Sequence, residues 1–332
     1  MLLLTSLLAL AASTQAAAPD PPIAELGPNL ERFAYPWPVQ TIRVPVGQFA
    51  ADMAYMDVAP TARANGRTVV LLHGKNFCGA TWERTARMLA GRGYRVLIPD
   101  QIGFCKSAKP AGAQYSLRML AANTAALMQA RGIERAAIVG HSMGGMLAMR
   151  FAIQHPERTE RLVLVNPLGL ADRLAQGVPY TPLDRLLAGE RRTSYQSIRA
   201  YQTENYYSGA WTAEYDRWAR MLAGQYAGGG NETVALAQAK TSDMIQTQPV
   251  VYELGRIAVP TTLLIGTRDR TVFGKANAPE EVRATLKPIP EVAANAAARI
   301  KGARLVRIEG AGHSPQVEVP ERFERLLVEA LE

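Results

Sequence analysis

A chain of 332 residues, 48% hydrophobic and 20% charged, has ample material for a buried core and room for two domains or for one domain with an insertion. The formal net charge of +8 comes from basic residues scattered along the chain, with no run long enough to make a nucleic-acid-binding tail. Nucleic acid is therefore excluded as a partner, no metal or other cofactor is expected, and oligomeric state is left open.

Residues 1–18 carry no charged side chain and combine the apolar run Leu2, Leu3, Leu4, Leu7, Leu8 and Leu10 with a small-residue end at Ala16 and Ala17. That run is too short to span a bilayer and reads as a signal peptide for export to the periplasm or the medium. The Lys or Arg that normally precedes such a run is absent, which leaves a misassigned start codon or a poor signal as the alternatives. No later stretch approaches the length of a membrane helix. Residues 19–38 are rich in proline and are expected to run over the surface without regular structure.

Residues 39–46 and 51–58 alternate loosely, as paired strands at a sheet edge do. The apolar run at 68–72 has the pattern of a strand covered on both faces, and it ends in His73-Gly74-Lys75-Asn76. A helix over 82–91 follows, then a buried strand over 94–99, a loop from Asp100 to Ser107, and a helix over 117–131. Next come a strand at 136–139, a glycine-rich turn leading into a helix, and a strand at 161–165 ending in Asn166-Pro167. This alternation predicts an α/β protein with a mostly parallel, doubly wound sheet. Between 168 and 257 the tone is helical without a strong strand, and residues 180–226 hold seven tyrosines together with Trp211 and Trp218. The alternation resumes with strands at 261–265 and 304–308 and a last helix from about 318 to 331. The chain thus divides into a signal peptide (1–18), a proline-rich segment (19–38), a first core part (39–167), a helical cap inserted between two strands (168–257) and a second core part (258–332). A cap in that place is positioned to roof a site at the strand ends.

The turn at the centre reads Gly140-His141-Ser142-Met143-Gly144-Gly145. Serine between two glycines at a strand-to-helix junction is the nucleophile elbow, in which a tight turn lifts the hydroxyl above the sheet edge. Gly140 and Gly144 are expected where a Cβ would collide with a neighbour, and Gly145 to add slack. A serine needs a base to take its proton and a third group to hold that base. Of four histidines, His73 ends a strand, His141 is the elbow neighbour and His155 precedes a proline at a helix end. His313, in a flexible loop after the last strand, is the candidate base. Asp269 follows the strand at 261–265 and is the candidate acid. Asp100 is expected to brace its own loop, and Asn166 stands at the other position from which an acid could come.

The order Ser142, Asp269, His313 resembles the triad of the α/β-hydrolase family, in particular its cap-bearing serine hydrolase branch. The resemblance extends from about residue 42 to the end of the chain. The His73-Gly74 turn with Trp82 downstream resembles the family's oxyanion loop, and Asp100-x-x-Gly103-x-x-x-Ser107 resembles its loop after the following strand. Cys105 stands where the family usually has glycine, and Lys75-Asn76 replaces a frequent apolar-then-proline pair. The resemblance implies backbone N–H groups of Lys75 and Met143 as the oxyanion hole, and a small-molecule acyl substrate. A carboxylic-ester hydrolase is the leading expectation. A carbon-carbon bond hydrolase or perhydrolase with the same triad is the alternative, and a silent binding module on this fold comes third. With serine at the elbow, attack on an sp3 carbon would leave an ether that water does not open, so acyl transfer is the chemistry to expect.

The aromatic cap suggests an apolar or aromatic substrate, although most of its rings are expected to pack the cap onto the body. Tyr206, Tyr207 and Trp211 are candidate wall residues. Phe77 and His141, flanking the oxyanion loop and the elbow, are candidate ligand contacts. Cys78 and Cys105 fall in loops beside the site, where a disulfide and two free thiols are both open readings.

Overall fold

The computed structural model describes residues 22–332, so the expected signal peptide lies outside the described residues. Eight strands form one sheet: β1 (Gln40–Val46), β2 (Phe49–Val58), β3 (Thr68–Leu72), β4 (Arg95–Pro99), β5 (Ala136–His141), β6 (Thr159–Val165), β7 (Thr261–Gly266) and β8 (Arg304–Ile308). Their order across the sheet is β1-β2-β4-β3-β5-β6-β7-β8. β1 and β2 pair antiparallel at one edge and β2 runs antiparallel to β4, while β4 through β8 are joined by parallel ladders. This is the mostly parallel, doubly wound α/β sheet that the alternation predicts.

Both faces of the sheet are covered, and the pleat decides which residue serves which face. Val70, Leu72 and Ile138 join one apolar cluster with residues of α2 (Leu117–Ala130) and α3 (Met143–Gln154). Their neighbours Val69, Leu71, Ala137 and Val139 point the other way, into a cluster with α1 (Glu83–Gly91) and the C-terminal Phe323 and Leu327. Between the adjacent parallel strands β6 and β7 the chain makes α4 (Leu183–Glu190), α5 (Tyr195–Asn205), α6 (Ala213–Tyr226) and α7 (Asn231–Thr247). After β7 come the short α8 (Glu280–Arg283) and α9 (Ile289–Ala298), and after β8 the short α10 (Pro315–Glu318) and α11 (Pro320–Leu331). No helix among the described residues is long and apolar enough to cross a membrane.

Residues 22–38 lack regular structure, as expected, but they do not simply lie over the surface. Leu30 is fully buried in the main core. The Leu26 N–H donates to Gly224 O in α6 at 2.9 Å, and Lys109 Nζ, from the segment after β4, donates to Asn29 Oδ1 at 2.8 Å. The segment is a strap that ties the helical insertion to the sheet.

Cys78 and Cys105 are joined in a disulfide, with Cα atoms 5.9 Å apart and a sequence separation of 27. The bridge links the loop after β3 to the loop after β4. On the chain-entropy account, closing a loop of this length stabilises by about 3 to 4 kcal/mol. Cys78→Ala/Cys105→Ala is therefore expected to lower unfolding free energy by that amount. Denaturant midpoints of the two proteins under non-reducing conditions measure it.

Candidate active site

The elbow follows from three crowded contacts. A Cβ on Gly140 would run into Gly144 O, and one on Gly144 into Leu72 O, so both glycines let a helix start close against the sheet. Gly145 does not add slack, contrary to expectation: a Cβ there would strike Pro167, and the missing side chain lets the turn after β6 close in. Ser142 itself has φ 55° and ψ −120° and directly precedes α3. Its N–H donates to Val165 O at 3.0 Å, which fixes the strained turn to the end of β6.

Asp269 and His313 meet at the ends of β7 and β8. His313 Nδ1 donates to Asp269 Oδ2 at 2.8 Å, with both side chains wholly buried. The other carboxylate oxygen accepts the Thr271 N–H at 2.8 Å. With its proton on Nδ1, the imidazole presents Nε2 as an acceptor, and that atom is buried without a partner. No hydrogen bond joins Nε2 to Ser142 Oγ in this structure. Catalytic hydrogen bonds of this kind are often long before substrate binds.

The backbone around His313 is held on every side. Asn166 Nδ2 donates to Gly312 O at 2.7 Å and to His313 O at 2.9 Å, while Asn166 Oδ1 accepts the Gly266 N–H at 2.8 Å. Asn166 thus couples the end of β7 to the histidine loop. In the sequence it is visible only as a missing carboxylate. The His313 N–H donates to Tyr206 O at 2.9 Å, and the two rings stack with centroids 4.3 Å apart. Glu318 accepts the Gly312 and Ser314 N–H groups, each at 2.8 Å.

The remaining histidines have other tasks. His141 is buried, and its Nε2 donates to His313 O at 2.8 Å. Burial, with the His313 ring beside it, holds its pKa well below the ordinary value, so the ring is neutral. His73 accepts the Gln101 N–H at Nε2 and donates from Nδ1 to Gly74 O, and burial lowers its pKa as well. His155 lies at the end of α3 near Glu157. Asp100 braces its loop as expected, accepting from Gly79 N–H, Lys106 N–H and the Tyr35 hydroxyl.

Ser142, Lys75 and Asn76 open into a cavity of about 540 Å³ beneath the insertion. Its wall includes Leu168, Leu186, Ile245, Phe273 and Tyr206, with Arg173, Lys275, Arg283 and Glu204 supplying charge. Among the candidate substrate contacts, Tyr206 is in this wall, whereas Phe77, His141, Tyr207 and Trp211 lie outside it. Packing explains it. Tyr207 stacks on Tyr215 at 3.8 Å, Trp211 Nε1 donates to Asp216, and Phe77 lies edge-on to His141. Lys75 Nζ pairs with Glu190 of α4 at 2.7 Å, and Asn76 Nδ2 donates to the Tyr206 hydroxyl at 2.9 Å, so the loop after β3 is fastened to the insertion twice. Among the described residues, the backbone N–H groups of Lys75 and Met143 donate to no backbone carbonyl.

A family model described as alpha/beta hydrolase fold matches residues 67–320. A probable hydrolytic enzyme from Pseudomonas aeruginosa PAO1 is 51% identical, with a TM-score of 0.91 over 93% of this chain and 99% of its own. An esterase from Exiguobacterium antarcticum shares the fold at a TM-score of 0.68 and 20% identity, over 87% of this chain and 98% of that one. Among curated proteins, the 2-hydroxy-6-oxo-2,4-heptadienoate hydrolase of Pseudomonas putida is 36% identical over 115 residues, 34% of this chain and 42% of that protein. The chain spans less than half the length of the curated relatives it matches.

Proposed function

This chain belongs to the α/β-hydrolase fold family, and from that premise we propose that it is a serine hydrolase cleaving a carboxylic ester or related acyl bond of a small, predominantly apolar substrate through an acyl-enzyme on Ser142. The observation that carries this reading is the buried imidazole of His313, whose Nδ1–H is engaged by Asp269 and whose Nε2 is left open as an acceptor.

In this mechanism His313 Nε2 takes the Ser142 proton as Oγ attacks the acyl carbon, and the backbone N–H groups of Lys75 and Met143 receive the negative charge on the carbonyl oxygen. The tetrahedral species collapses, the leaving group takes the proton from His313, and the acyl group stays on Oγ. Water then enters, gives its proton to Nε2 and attacks the ester. Collapse of the second tetrahedral species returns the proton to Oγ and frees the acid. Asp269 remains ionised throughout, fixing the tautomer and stabilising the imidazolium. The neutral His141 and Asn166 hold the His313 carbonyl and leave the proton relay undisturbed.

A second reading, hydrolysis of a carbon-carbon bond by the same residues, is favoured by the names of the curated relatives, several of which are 2-hydroxy-6-oxo-dienoate hydrolases. Export through residues 1–18 also belongs to the proposal, and the Cys78–Cys105 bridge fits the oxidising compartment that it requires. A fluorophosphonate probe should label Ser142, and p-nitrophenyl esters of rising chain length should be turned over, short chains first. Labelling with no ester turnover, together with cleavage of a 2-hydroxy-6-oxo-dienoate, would move the assignment to the second reading. An unlabelled Ser142 would refute both.

A further inference from the structure

We propose that Glu318 is a positioning residue that holds the His313 loop in working geometry while ionised and loosens it when protonated, so that the acid side of the reaction is governed by two groups. This rests on the serine hydrolase reading above. Glu318 ends α10, and its two oxygens accept the N–H groups on either side of the base: Gly312 on Oε2 and Ser314 on Oε1, each at 2.8 Å. The N–H between them belongs to His313 and goes to Tyr206 O. One carboxylate thus supplies two of the three acceptors for three consecutive peptide groups. A carboxylate is the side chain that can do this, because it accepts at both oxygens and donates at neither.

Protonation breaks that symmetry. One oxygen becomes O–H, a neutral and much poorer acceptor for the N–H it faces, so at least one charge-assisted bond is weakened and the peptide beside His313 is held less firmly. The charged and titratable groups facing Glu318 are Asp269 and His313 on the catalytic loops and Tyr207 and Tyr215 from the insertion, with Glu214 also close to Tyr207. Among the described residues no Lys or Arg is paired with it. Burial pushes its carboxyl up to about 7, against the lowering effect of the two N–H donors. A fall in pH through that value therefore adds a proton to Glu318 and weakens its hold on the loop.

The test is the pH dependence of kcat for p-nitrophenyl acetate. In the wild type, log kcat should fall below neutrality with a limiting slope near two, because two protons switch activity off. Glu318→Gln keeps one acceptor oxygen and cannot ionise. It should lower the plateau kcat by about tenfold to a hundredfold with KM little changed, and reduce the slope to one. A melting curve establishes that the variant is folded. A folded variant with wild-type kcat, or one with lowered kcat and an unchanged limb, would overturn the proposal, the second outcome leaving Glu318 a purely structural brace. Where the variant does not fold, the wild-type limb decides: a one-proton limb refutes the two-group control. Fluorophosphonate labelling of wild-type Ser142 at pH 8, run alongside, separates failure of this inference from failure of the serine hydrolase reading.

Discussion

Replacing Ser142 with alanine is expected to lower turnover by about a millionfold, the loss typical when the nucleophile of such a triad is removed. The fold should survive. The hydroxyl makes no hydrogen bond to His313, and the constraint on the turn lies in its backbone, through the Ser142 N–H to Val165 O and the close approach of Gly144 to Leu72. Melting temperature should accordingly stay within a few degrees of wild type while ester hydrolysis disappears. Rates measured on protein free of wild-type carry-over, beside a melting curve, decide it. A variant with most of its activity would remove Ser142 from the mechanism.

Asp269→Asn is the second large effect, about ten-thousandfold in kcat, with the loop left in place. The amide oxygen can still accept the Thr271 N–H, which Asp269 Oδ1 does now at 2.8 Å. Its NH2 then faces His313 Nδ1, where a carboxylate accepts at present. Two donors cannot face each other, so Nδ1 gives up its proton and Nε2 carries it instead. The imidazole becomes a donor where the reaction needs a base. A loss under tenfold, measured as kcat on the same ester, would show that the acid lies elsewhere.

The strands were readable in the sequence because parallel strands covered on both faces become unbroken apolar runs, and 68–72, 136–139 and 261–265 are such runs. Residues that end them, such as Ser142 and Asp269, inherit their place from the sheet, so their neighbourhood could be inferred from position along the chain. What could not be inferred was set by side chains meeting across elements. His141 looked like a ligand contact because it adjoins Ser142, yet its ring is committed to the His313 carbonyl, and adjacency in sequence carries no information on that bond. The rings of Tyr207 and Trp211 were aromatic in the right region but are consumed by packing among themselves. α9 escaped notice because half of its ten residues are alanine, which gives a weak helical stripe, and prolines stand at its start. Leu30 escaped because a proline-rich coil shows no periodicity, although one leucine within it reaches the core.

The C-terminal end of α5 is attached to the loops that carry Asp269 and His313, through Asn205 O to the Arg270 N–H and Tyr206 O to the His313 N–H. Swinging that helix outward to widen the entrance would cut both bonds together. Such a movement would therefore release the loops that carry Asp269 and His313 from the insertion at the same moment. On the proposed mechanism, a ligand bulky enough to wedge the roof open is expected to be turned over more slowly than a compact one that lets the roof stay down. Discrimination by size would then be exerted through the loop that carries His313.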